Sequence, residues 1–273
     1  MSEHDIIGAR AAFRGAARPL APGDLDVAID LLDAESADLW AVIGVETTGC
    51  GFQPDRRIKI LFERHIFSRR TNGRFNASHP GISNPAPGGY ATPGGGSQYD
   101  RLALAITLDE QAALESASWG IGQVMGFNAG TVGYPSANEM VAAMAESEGA
   151  QIEAMARFIV ANHLDGALRS HDWARFARGY NGPGYRANNY DTRLAAEQER
   201  VKRGSGPDLI VRTAQIYLTF LGYDTFGVDG ILGRLTRSAL NDYQLDQGLE
   251  PTQAIDDAAI QRLAADVANL DTD

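Results

Sequence analysis

Apolar positions crowd residues 25–48: Leu25, Val27, Ile29, Leu31 and Leu32, then Ala37, Leu39, Trp40, Val42, Ile43 and Val45. This run predicts one long amphipathic helix, or two helices broken near residues 34–36. Gly49 and Gly51 supply the stop. Ile58, Ile60 and Phe62 alternate at period two, which predicts a short strand just before Glu63. Residues 80–97 hold four Pro and six Gly and predict a loop. Loops of that length inside a compact domain are commonly functional or mobile. Further helices are predicted over 108–114, 137–145 and 152–160, with a short one around Trp173, Phe176 and Ala177 that stops at Gly179. Residues 195–203 read as the end of another helix.

Arg203-Gly204-Ser205-Gly206-Pro207 is the clearest linker in the chain. It predicts a division into 1–203 and 204–273. Beyond it, apolar residues from Leu209 to Tyr223, a Gly-Asp-Gly turn at 227–230, and helices over 236–247 and 256–270 predict a small three-helix bundle. The whole chain is therefore expected to be mainly α.

Composition narrows the functional classes. The 273 residues are 44% apolar and 22% charged, enough for one large or two unequal globular units. No apolar run approaches a membrane span of roughly 20 residues, so no membrane insertion is expected. The start, Met1-Ser2-Glu3-His4-Asp5, lacks the basic character of a secretory signal. The expectation is synthesis in the cytoplasm without a signal peptide, and release or export before any action outside. Cys50 is the sole cysteine, so no intrachain disulfide can form. The five His show no metal-ligand spacing, and no metal or cofactor is implied. Net charge is −11, of which residues 205–273 carry −7. That balance disfavours nucleic acid as a partner but admits a neutral or mixed-charge glycan.

Glu46 breaks a local rule. It follows Val42, Ile43 and Val45, and it sits in what reads as the last turn of a helix. Exposed carbonyls there make negative charge unfavourable, and an apolar setting disfavours the anion as well. Both effects raise a carboxyl pKa, as a general acid working near neutral pH requires. A surface Glu just past a core face is the plainer alternative. Glu63 is a second candidate carboxylate, able to place water or to stand beside the acid, with a structural ion pair to Arg64 or Arg101 as its alternative. Glu115 is a third. Ser118-Trp119-Gly120-Ile121-Gly122-Gln123 offers a hydroxyl, an indole and an amide around two glycines. Trp119 could face a sugar or fill the core. Tyr180-Asn181-Gly182-Pro183-Gly184 is a turn by composition, with a phenol and an amide to offer.

Taken in order, Glu46-Thr47, Gly120-Ile121-Gly122-Gln123 and Gly179-Tyr180-Asn181 resemble the strings of the lysozyme-like superfamily of peptidoglycan-cleaving enzymes. The closer resemblance is to the N-acetylmuramidase domain of phage endolysins. It is carried by residues 45–52, by Lys59-Ile60-Leu61-Phe62-Glu63-Arg64-His65-Ile66-Phe67, by the stretch from Ser116 to Asn128, and by residues 176–185. Residues 207–270 look like a type 1 peptidoglycan-binding domain, through Val211, Gln215, Leu218, Leu221-Gly222-Tyr223, Gly227-Val228-Asp229-Gly230, Thr236, Ala239-Leu240 and Tyr243-Gln244.

The resemblance implies a mainly α fold: an α+β lysozyme-like catalytic domain with a small β-hairpin region, followed by a small three-helix bundle. It implies Glu46 as catalytic acid, Glu63 as its aid, and Ser118, Trp119, Gln123, Tyr180 and Asn181 as substrate-binding residues. The implied partner is bacterial peptidoglycan, met by a monomer acting on the cell wall. The implied reaction is cleavage of the β-1,4 bond between N-acetylmuramic acid and N-acetylglucosamine. Rivals are a lytic transglycosylase, a wall-binding protein without activity, and a chitinase. Two departures stand out. Thr47 replaces the usual Ser and keeps the hydroxyl. Gly122 replaces a Leu or Phe and is expected to loosen the turn. In the second unit, Asp229 and Gly230 are expected to shape a turn, and Thr236 to cap the following helix.

Overall fold

The computed structural model describes residues 13–47, 49–89, 98–204 and 206–270. Residues 90–97 of the predicted loop and Ser205 of the predicted linker lie outside them. The predicted break in the first apolar run is real. Helix α1 covers Pro22–Leu32 and α2 covers Ser36–Thr47. Asp33 lies between them with φ of 48°, a left-handed turn that a continuous helix would not allow.

The second of these helices is the spine of the molecule. Ala37, Leu39, Trp40, Ala41, Val42, Ile43 and Val45 are all buried. A helix that is apolar all round must lie inside a core. It packs along helix Tyr190–Arg203, while α1 packs along helix Glu148–Ala161. Buried side chains from almost every element join in one large cluster. Asp109, Ser136, Ser147 and Asp172 cap the helices that follow them by accepting backbone N–H groups.

A small antiparallel sheet flanks the spine. Strand β1 is Ile60–Phe62, β2 is Ala117–Trp119 and β3 is Val124–Met125, in the order β1-β2-β3. Ile60 faces Trp119, and Ser118 faces Met125. The first strand follows the predicted alternation. The other two arise from a string that reads by composition as a turn: its four-residue loop, 120–123, is the turn, and the residues either side pair. Helices Arg64–Arg70 and Gln98–Leu108 were not anticipated by the apolar pattern.

After Gly206, three helices, Leu209–Phe220, Arg234–Asp246 and Asp257–Asn269, form the expected bundle. Gln215 organises its turn. Its Oε1 accepts from Asp229 and Gly230 N–H at 3.0 and 2.9 Å, and its Nε2 donates to Asp229 Oδ1 at 2.8 Å. Thr236 does not cap the second helix, which begins two residues earlier with Gly233 at its N-cap. Instead its buried hydroxyl accepts from Gln215 at 3.0 Å, because it lies on the inner face of the first turn.

Ala214, Leu218, Ala239, Leu240, Tyr243 and Leu263 give the bundle a core of its own. Ile216, Phe220, Val228 and Val267, however, belong to the large cluster of the preceding residues. Phe220 meets the edge of Phe52 at 6.3 Å. The bundle is docked, with continuous apolar packing across the junction.

Candidate active site

Glu46 sits in the last turn of α2. Its carboxyl is half-buried. Asn181 Nδ2 donates to Glu46 Oε1 at 2.8 Å. Burial raises its pKa to about 7, with the Asn181 hydrogen bond and the Arg193 charge opposing. Both local arguments for an unusual carboxyl therefore start from correct placement: an apolar run before it, and a helix end under it. Thr47, next to it, spends its hydroxyl on the Ile43 carbonyl at 3.4 Å inside the same helix.

Asn181 arrives from helix Trp173–Tyr180, whose last turn it closes by donating its N–H to Ala177 O at 2.9 Å. Gly182 follows with φ of 82°, a value suited to glycine. Tyr180 precedes Asn181. Its ring stacks on Phe176 at 5.4 Å and meets Phe158 edge-on at 5.4 Å. Burial, followed by the negative charges possible at Glu46 and Tyr190, pushes its phenol well up. It therefore stays protonated and donates to Gly122 O at 2.5 Å.

That bond ties the β2–β3 hairpin to the acid. Within the hairpin, Ser118 Oγ donates to Gln123 Oε1 at 2.7 Å, and Gln123 Nε2 donates to Gly120 O at 2.8 Å. Gln123 has φ of 48°. Its amide thus closes the turn with both ends. Gly122 does not loosen that turn. A Cβ there would lie 2.6 Å from the Cβ of Met155, so the glycine lets the hairpin lie directly on helix Glu148–Ala161.

Glu46, Tyr180, Asn181, Ser118 and Gln123 are thus linked, directly or through the hairpin. Trp119 points the other way. It is fully buried, its Nε1 donates to Leu114 O at 3.1 Å, and its ring packs on Phe13 at 5.5 Å. It has no open face to offer a sugar. Glu63 stands one residue past β1, with its Oε2 3.0 Å from His65 Nδ1 and its backbone N–H on Ser116 O. Glu115 pairs with Arg70 at 3.2 Å.

Three residues that the sequence did not single out for the site complete the surroundings. Arg193 Nη2 donates to Val45 O at 3.0 Å, and Lys59 Nζ to Thr47 O at 3.0 Å, so two cations cover the carbonyls at the helix end. Tyr190 has its phenol pushed up by burial and then by Glu46. Arg193 and Tyr190 lie in the first turn of a helix, Tyr190–Arg203, that the sequence pattern starts five residues too late. Among the described residues, no group of three or more His, Cys, Asp or Glu is placed to hold a metal.

Comparison with known proteins identifies the family. A family profile described as N-acetylmuramidase matches residues 35–202, and one described as a peptidoglycan binding domain matches 208–263. The crystal structure of a Burkholderia AP3 phage endolysin is similar at 42% identity and a TM-score of 0.62, over 69% of this chain and 72% of that one. No curated protein matches the chain.

Proposed function

Because this chain belongs to the N-acetylmuramidase family, we propose that Glu46 is the general acid of a muramidase, protonating the glycosidic oxygen between N-acetylmuramic acid and N-acetylglucosamine. The chain is a glycoside hydrolase of peptidoglycan, and its C-terminal helices are of a peptidoglycan-binding type. The observation that carries the reading is the half-buried carboxyl raised to about 7 and held by Asn181. A carboxyl of that kind keeps its proton at the pH where the leaving oxygen needs it.

The division of labour follows the same lines. Residues 1–203 hold the chemistry and 204–273 hold the wall, as a monomer acting from outside the membrane. Among the described residues, no helix is long and apolar enough to cross a membrane. Anchoring on the polymer raises the local concentration of glycan at the acid. Asn181 orients the carboxyl, and its Oδ1, buried without a partner inside the chain, is an acceptor for a sugar hydroxyl or acetamido N–H. Tyr180 holds the hairpin against the acid, with Ser118 and Gln123 shaping the turn beside it.

Two results test this arrangement. Asn181→Leu removes the donor that favours the Glu46 anion, so the alkaline limb of the pH–rate profile should move above its wild-type midpoint near 7. A limb that stays or falls would remove Asn181 from the acid's surroundings. Glu63→Gln should cut turnover by about 100-fold if that carboxylate places water or steadies the oxocarbenium-like transition state. The His65 contact to Glu63 favours keeping a second reading, a lytic transglycosylase working with Glu46 alone. Mass spectrometry of digested sacculi separates the two, since the anhydro product is lighter by one water.

A further inference from the structure

The backbone that follows Glu46 is held from outside by the C-terminal bundle. Arg212, on helix Leu209–Phe220, is 1% exposed. Its guanidinium donates to both carboxylate oxygens of Glu148, at 2.5 and 2.8 Å, and also to the carbonyl of Gly49. Glu148 in turn accepts from Gly51 N–H at 2.9 Å and from Leu20 N–H at 3.0 Å. Both sides of Cys50 are thus fixed by one ion pair whose cation lies beyond the catalytic family match. Lys59 N–H adds a bond to Gly51 O at 2.8 Å. Gly49 has φ of 91°, and a Cβ on it would lie 1.9 Å from the Val228 carbonyl oxygen. The strap therefore touches the bundle backbone to backbone.

A buried ion pair is a costly way to glue two surfaces, and apolar side chains of similar size often do it as well. A guanidinium adds something they lack, namely directed hydrogen bonds in a fixed planar fork. Here the fork that grips Glu148 also holds the carbonyl three residues after Glu46. We propose that Arg212 is a positioning residue for the general acid, fixing the 49–51 strap and with it the last helical turn that presents Glu46. The inference rests on the reading of Glu46 as the acid. It makes the wall-binding bundle a part of the catalytic apparatus.

The test uses the full-length chain with soluble glycan strands as substrate. Arg212→Lys keeps a charge for Glu148, but an ammonium cannot reproduce the fork. It should unfold cooperatively and pellet with sacculi as the wild type does. Its kcat should fall about tenfold with KM unchanged, because a small misplacement of a reacting group is expensive in rate. Its alkaline limb should move to lower pH, since a loosened turn lets water reach the carboxyl. The double variant Glu148→Met with Arg212→Met removes both charges at similar volume and should show the same kcat and pH changes. Either variant, folded and with wild-type kcat and limb, overturns the inference. So does failure of both to unfold cooperatively, which would assign the pair to the fold alone. An active Glu46→Gln enzyme overturns the acid reading beneath it; an inactive one beside a fully active Arg212→Lys enzyme overturns this inference alone.

Discussion

Glu46→Gln abolishes lysis of purified sacculi while binding to them persists. The expected loss is about 1,000-fold or more in turnover, within the range for removing a general acid. The substitution keeps the shape of the side chain and still offers Asn181 an acceptor, but it has no transferable proton. A second readout follows from the raised pKa. The folded protein holds the Glu46 proton to about pH 7, whereas an unfolded chain releases it near 4.5. Ionising the carboxyl therefore works against folding as pH rises from 4.5 to 7, and fully so above that. The penalty is at most about 3 kcal/mol, from 1.36 kcal/mol per pKa unit. Glu46→Gln should thus unfold at a higher temperature than wild type at pH 8, and at nearly the same one at pH 4. A variant that is dead yet no more stable at pH 8 would mean that the carboxyl ionises freely.

Glu148→Ala is the substitution expected to damage the fold most. It deletes the acceptor for Arg212, Gly51 and Leu20 at one stroke and strands a guanidinium that has no exposure to speak of. Breaking a buried pair from one side costs about 3–5 kcal/mol. Against a typical total of about 5–15 kcal/mol, that is enough to leave much of the protein unfolded at 37 °C. Denaturant titration of the two proteins measures it, and a difference under about 1 kcal/mol would mean that water reaches the pair. Burial works against the Glu148 anion, but Arg212 and the two N–H donors outweigh it and hold the carboxyl below its usual range. Its contribution is therefore complete above the unfolded value of 4.5 and is lost as pH falls through the lower folded one. Acid should unfold the wild type partly by this route, and Glu148→Ala should lack that component.

Much of this was legible along the chain, for identifiable reasons. Long apolar runs announce helices, and the spine from Ser36 to Thr47 is the plainest of them. A Glu at the end of such a run is conspicuous because helix ends favour cations there, and the structure supplies those cations from Lys59 and Arg193. Tyr180 and Asn181 stood out as a turn. Strands of three and two residues, such as Ala117–Trp119 and Val124–Met125, fall below any periodic window, so Trp119 could not be told from a surface aromatic. Helix Gln98–Leu108 begins directly after a Gly- and Pro-rich stretch and carries apolar residues on more than one face, which blurred its period. Arg212 and Glu148 lie 64 positions apart, in separate family matches, and nothing local marks either as paired.

The shared packing at Phe52 and Phe220, and the strap under Val228, bear on how such enzymes can be rebuilt. A chimera that exchanges the C-terminal bundle for an unrelated targeting module would uncover apolar surface and orphan Glu148. The graft would have to bring an arginine at the matching depth, or the recipient would have to give up its acid. Retargeting this enzyme to another wall is therefore a redesign of its interior, beyond the choice of a linker.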